Sequence, residues 1–106
     1  MSDTIDAATL AQDSQKVRII DIRKKPDNRQ IPGSERYDGE ALSSAEFLPF
    51  HFDDKLVIYC GSGNSCSVLA EELRDRGYNA RALEGGYAAW KEAGLPTEPI
   101  GEQLQF

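Results

Sequence analysis

Hydrophobic and polar positions follow two different periods along this chain, and the switches between them mark its elements. Val17-Arg18-Ile19-Ile20-Asp21-Ile22 is rich in β-branched residues and runs into the charged segment Arg23-Lys24-Lys25-Pro26. It predicts a buried strand that stops at Arg23, since β-branched side chains pack well on a pleated surface. Lys55-Leu56-Val57-Ile58-Tyr59 predicts a second such strand. From Ser65 to Arg76 the period becomes helical: Cys66, Leu69, Ala70 and Leu73 recur at i, i+3, i+4 and i+7, on one face. Glu72 and Arg76 stand one turn apart on the wet side, spaced to pair, and Gly77 supplies the C-terminal stop.

Weaker signals fill the rest. Asp6 precedes Ala7-Ala8-Thr9-Leu10-Ala11 as the cap of a short first helix. Ile31-Pro32-Gly33 reads as a turn, Glu35-Arg36-Tyr37 as a short edge strand, and Ser44 to Phe50 as a weak helix. Arg81-Ala82-Leu83 is expected to be a short strand after a turn at Asn79. Gly85-Gly86 opens a helix through Trp90 that Gly94 and Pro96 end, and the tail beyond Thr97 is expected to be loose. Strands alternating with helices imply an α/β fold class with a mainly parallel sheet. Ligands in such sheets sit at the carboxyl ends of the strands, which puts Cys60 and the Arg23-Lys24-Lys25 run on one rim.

Composition narrows the function classes. A length of 106 residues fits a single domain spanning 1–106, and 40% apolar with 28% charged residues is ordinary for a soluble globular protein. The start MSDTIDAATLAQ is polar and acidic, so neither a secretory signal nor a transit peptide is expected, and no apolar run is long enough to span a bilayer. Two closely spaced cysteines make no disulfide framework and are too few for a structural zinc site, so a reducing, cytoplasmic location without a metal is expected. A net charge of -6 argues against nucleic acid as a partner, and no membrane partner is expected. The charge is uneven: Lys16 to Arg36 holds seven basic and three acidic residues, while Asp38 to Asp54 holds five acidic and no Lys or Arg.

Candidate chemistry concentrates in Cys60-Gly61-Ser62-Gly63-Asn64-Ser65-Cys66, where a strand breaks into a glycine-rich turn before a helix. A thiolate, not a thiol, is the nucleophile, and a free cysteine has a pKa near ~8.5. The following helix N-terminus favours a nearby anion by about 0.3–2 kcal/mol, at most one to one and a half pKa units. Gly61 and Gly63 leave the backbone open, so successive N–H groups can turn inward as an anion-binding nest. Ser62, Asn64 and Ser65 add short polar groups for a substrate. Cys60 is therefore the candidate nucleophile. Cys66 falls on the apolar helix face with Leu69 and Leu73 and reads as a packing residue, with a resolving or redox role as the alternative. A phosphatase would need an arginine closing a C-x5-R loop, but that position is Cys66 and the next arginine is Arg74. His51, the single histidine, lies in the acidic stretch and reads as a surface or packing residue, and Trp90 as core.

Three segments carry a resemblance to the rhodanese sulfurtransferases. Ile20-Asp21-Ile22-Arg23 with Ile31-Pro32-Gly33-Ser34 resembles the family's D-x-R and I-P-G-A signatures. Tyr59-Cys60 with Gly63-Asn64-Ser65 resembles the active-site loop of single-domain members. Leu83-Glu84-Gly85-Gly86, Trp90 and Ala93-Gly94-Leu95-Pro96 resemble the C-terminal motif. Together they cover a core of about residues 17–96, leaving 97–106 as a tail. The resemblance implies a rhodanese-like three-layer α/β/α domain with a central parallel sheet flanked by helices. It also implies ping-pong transfer of a sulfane sulfur from a donor such as thiosulfate to a thiophilic acceptor, cyanide or a thiol, through a Cys60 persulfide. No cofactor beyond that persulfide is implied. The backbone from Gly61 through Ser62, Gly63, Asn64 and Ser65 to Cys66 would hold it, with Asp21 and Arg23 structural. The neutral loop is similar to that of mercaptopyruvate sulfurtransferases. Other readings are a non-catalytic sulfur-relay or regulatory module taking sulfur from a protein persulfide, and a Cys60/Cys66 thiol–disulfide redox enzyme.

Overall fold

A computed structural model of the chain describes residues 4–62 and 64–100. The strands are β1 (Thr4–Ile5), β2 (Arg18–Asp21), β3 (Arg29–Gln30), β4 (Glu35–Arg36), β5 (Lys55–Tyr59), β6 (Asn79–Leu83) and β7 (Glu98–Pro99). The helices are α1 (Ala7–Asp13), α2 (Gly39–Ser44), α3 (Asn64–Asp75) and α4 (Gly86–Glu92). Five strands form a sheet in the order β1-β6-β5-β2-β4, every pairing parallel. Glu35–Arg36 is thus the edge strand its short polar sequence predicts.

Period-two alternation along the central strands assigns each side chain to a layer. In β5, Leu56 and Ile58 enter a core with Leu42 of α2 and with Leu69, Ala70 and Leu73 of α3. Val57 and Tyr59 enter the opposite core with Leu10 of α1 and with Tyr87 and Trp90 of α4. Helices therefore cover both faces of a parallel sheet, the three-layer α/β/α arrangement expected of a rhodanese-like domain. Cys60 follows the parity of Leu56 and Ile58 and lies in the α2/α3 core cluster. Trp90, 2% exposed, fills the other layer and donates its indole N–H to the Pro96 carbonyl at 2.8 Å.

Four weaker expectations change, the first at Asn79, which is not a turn but the opening residue of β6, paired with Lys55. The second helix spans Gly39–Ser44 rather than Ser44 to Phe50, because Asp38 caps it, accepting from the Glu40 N–H at 3.0 Å, and the chain is extended again at Ala45. The segment beyond Thr97 is not loose through its described part: Glu98–Pro99 pairs antiparallel with Arg29–Gln30, and the Glu98 carboxylate accepts from the Gln30 side chain at 2.8 Å. Glu72 and Arg76 do not pair: Ser43 Oγ donates to Glu72 at 2.6 Å, and Arg76 donates to the Glu46 carbonyl at 3.1 Å. The last two are contacts between segments distant in sequence, which local spacing does not encode, whereas the helix start is set by a local cap.

Candidate functional site

The carboxyl end of β5 carries Cys60 to the mouth of a cleft of about 590 Å³, lined among others by Ile22, Gly61, Ser62, Ser65, Val68 and Leu69. Cys60 is 6% exposed, and its Sγ accepts a hydrogen bond from the Cys66 backbone N–H at 3.3 Å. That N–H belongs to the first turn of α3, where amides lack intrahelical partners and the helix dipole is positive. Gly61, Ser62, Asn64 and Ser65 are exposed, and of these Gly61, Ser62 and Ser65 line the cleft while Asn64 stands outside its lining. Gly63 lies outside the described residues.

Cys66 is fully buried. Its hydrogen bond to the Cys60 sulfur, and then its burial, push its thiol well above the ordinary thiol range. It is therefore a protonated neighbour of Cys60, and its backbone N–H faces the sulfur while its side chain helps fill the core.

Two supports hold the loop. On one side the Tyr87 N–H donates to the Cys60 carbonyl at 2.8 Å and the Ala88 N–H to the Gly61 carbonyl at 3.1 Å. The first turn of α4 thus has its orphan donors capped by the loop itself, which is why its N-cap, Gly85, needs no capping side chain. Gly85 sits at φ 74°, and a Cβ there would lie 2.7 Å from that of Ala89. The Gly85-Gly86 pair signalled a helix start, but its link to Cys60 is long-range and had no local signature.

Beneath the loop lies a buried polar network. The Asp21 side chain, fully buried, accepts from Arg23 Nη2 at 2.8 Å and from the Tyr59 hydroxyl at 2.9 Å. Tyr59 also accepts from the Ile31 N–H at 3.3 Å and bonds Ser34 Oγ at 3.1 Å. Burial and then the Asp21 charge push the Tyr59 phenol upward, keeping it a donor to the carboxylate. The Arg23 guanidinium packs 4.1 Å from the Tyr87 ring centroid. The D-x-R and I-P-G-S segments thus converge under the residue preceding Cys60. Asp21 and Arg23 are tied to each other in this network, and Arg23 also lines the cleft.

Arg23, Lys24 and Lys25 all line the cleft with Cys60, as expected of one rim, but their side chains are not equally available. The Arg23 head is paired with Asp21, and Lys24 Nζ lies 2.8 Å from Glu40 of α2. Glu40 and Glu72, which also line the cleft, carried no sequence signal, since only the packing of α2 against α3 brings them there. His51 is exposed before the start of β5, the end of the strand opposite Cys60. Among the described residues no group of three or more His, Cys, Asp or Glu could hold a metal, and no helix is long and apolar enough to cross a membrane.

The sequence matches the Rhodanese-like domain family over residues 4–93. This chain belongs to the rhodanese-like family. It is 35% identical over 79 residues to a tRNA sulfurtransferase of Desulfurococcus amylolyticus, covering 73% of this chain and 15% of that protein. A rhodanese-related protein from Thermoplasma volcanium superposes with a TM-score of 0.80 at 26% identity, covering 90% of this chain and 96% of that one. A thiosulfate sulfurtransferase from Pseudomonas aeruginosa superposes with a TM-score of 0.78 at 33% identity, covering 98% of this chain and 20% of that one. The chain thus spans only a small part of the two relatives named for sulfur transfer.

Proposed function

We propose that the protein is a sulfurtransferase that carries a sulfane sulfur as a persulfide on Cys60. The observation that carries this reading is the N–H of Cys66, aimed at the Cys60 sulfur from the first turn of α3, where Cys60 lines an open cleft. An amide donor and a helix N-terminus favour the thiolate over the thiol, and the same groups suit a persulfide anion. Family membership and two relatives named as sulfurtransferases support the same chemistry.

In the first half-reaction the Cys60 thiolate attacks the outer sulfur of the donor. A new S–S bond forms, the donor's own S–S bond breaks, and its electron pair leaves with the remainder, sulfite when thiosulfate is the donor. In the second, a thiol or cyanide attacks the terminal sulfur and the Cys60 thiolate departs. No external oxidant or reductant enters. Gly61, Ser62, Gly63, Asn64 and Ser65 complete the anion cradle with Cys66 in this reading. The neutrality of that loop favours donors less charged than thiosulfate, and a protein persulfide is a candidate donor for so open a cleft. No resident cofactor or metal is required, and the reducing cytoplasm, which preserves the free thiol, is the proposed location.

Incubation with a sulfur donor followed by intact-mass measurement is expected to show one added sulfur. The addition should be removed by cyanide and be absent from Cys60→Ser. Loading that survives Cys60→Ser but disappears in Cys66→Ser would overturn the assignment.

A further inference from the structure

The cleft above Cys60 is nearly charge-balanced, and its balance is built from residues outside the cysteine loop. Two lysines, Lys24 and Lys25, face two acids, Glu40 of α2 and Glu72 of α3, among its lining residues. Arg23 also lines the cleft, but its charge is paired with the buried Asp21 and its side chain is 5% exposed. Glu72 is held on the wall by the Ser43 hydroxyl at 2.6 Å. Glu40 meets Lys24 at 2.8 Å, with both side chains otherwise open to solvent, 79% and 74% exposed. The pair joins the segment after β2 to α2. Ile22, Val68 and Leu69 add an apolar part to the wall.

A dianion approaching a thiolate needs an excess of positive charge along its path, and here Glu40 cancels one of the two lysines that could supply it. We propose that Glu40 is a specificity-determining residue: by holding Lys24 across the cleft it selects against dianionic sulfur donors in favour of singly charged or charge-balanced ones. This rests on the reading of Cys60 as the sulfur carrier. A volume of about 590 Å³ also lies in the range of pockets that hold drug-sized ligands, much larger than a four-oxygen-scale inorganic anion requires.

Coulomb energy scales with ligand charge, so neutralising Glu40 acts on a dianion as the square of its effect on a monoanion. In a partly screened cleft, a monoanion should gain roughly two- to threefold in rate and a dianion roughly four- to ninefold at low ionic strength. Thiosulfate and methanethiosulfonate make a matched pair of donors. Both surrender the outer sulfur by breaking one S–S bond, leaving sulfite or methanesulfinate, and they differ by one charge.

The experiment compares the full chain with Glu40→Gln, following sulfur addition at Cys60 by intact mass with each donor, at low and high salt. Alkylation of Cys60 by iodoacetate against iodoacetamide, read by peptide mass, probes the same field without sulfur chemistry. Glu40→Gln is expected to raise the thiosulfate-to-methanethiosulfonate rate ratio and the iodoacetate-to-iodoacetamide ratio each roughly two- to threefold, both gains fading as salt rises. Unchanged ratios in both pairs would overturn the assignment of Glu40 alone. A shifted alkylation ratio with no sulfur added from either donor would overturn the sulfur-transfer reading and, with it, the role of Glu40 toward donors.

Discussion

Asp21 is tied to the residue before Cys60, Tyr59, whose hydroxyl donates to its carboxylate. Its carboxylate is fully buried and is shared by Arg23, the Tyr59 hydroxyl and, at 3.7 Å, the Arg36 guanidinium. Removing one partner of a buried ion pair leaves the other charge uncompensated, which typically costs about 3–5 kcal/mol, more than the pair contributes over an apolar replacement. Asp21→Ala is therefore expected to lose about 3–5 kcal/mol in urea unfolding, and Asp21→Ala/Arg23→Met to recover part of that loss. Additive losses in the double variant would show that the two side chains act independently. Cys60 and Cys66 make the complementary point. Both are buried free thiols, yet one ends at an open cleft and the other beneath it. The sequence distinguished them, because strand end and helix face are local properties.

At the scale of elements, the glycines separate into those the fold requires and those it does not. Gly85 is required twice over, by its left-handed φ and by the Ala89 methyl group 2.7 Å from any added Cβ. Gly85→Ala is expected to destabilise by about 1–3 kcal/mol and to loosen the α4 amides that hold the Cys60 and Gly61 carbonyls. Its sulfur loading should fall at temperatures well below its melting point. Gly61 is different: a Cβ there meets nothing within 4 Å and its φ is not left-handed. Gly61→Ala should stay within about 0.5 kcal/mol of the parent in the same unfolding measurement. The loop's own packing therefore does not require a glycine at position 61. Helix α3 was legible because twelve residues carry a repeated period, whereas the six of α2 do not, and its boundary came out displaced.

Over the whole molecule, acidity governs stability. Four carboxylates in separate parts of the chain sit below their ordinary range: Asp6 through its bonds to Thr9, Asp27 where the opposing effect of burial is outweighed by the Arg29 N–H and Lys91, Glu35 through its hydrogen bond from Arg18, and Asp54 through the His51 backbone N–H. A depressed folded-state pKa adds stability that is complete above the unfolded value and lost as pH falls through the folded one. Melting temperature should therefore decline as pH falls below about 4.5. Glu35→Gln should start lower at neutral pH and fall less steeply. Equal slopes for the two proteins would remove Glu35 from the account.

The sequence by itself determined the fold class, the strong strands and helix, the nucleophile candidate and the family, since all of these rest on periods, turn residues and short motifs that are local. Only the tertiary structure decided where the charges point. Arg23, although it lines the cleft, directs its guanidinium to Asp21 and the Tyr59 ring. Glu40 crosses to Lys24, the α4 amides clasp the cysteine loop, and Glu98–Pro99 joins Arg29–Gln30. Each of these is a pairing of distant segments, and a polar side chain chooses its partner only after burial and packing have fixed which groups remain within reach.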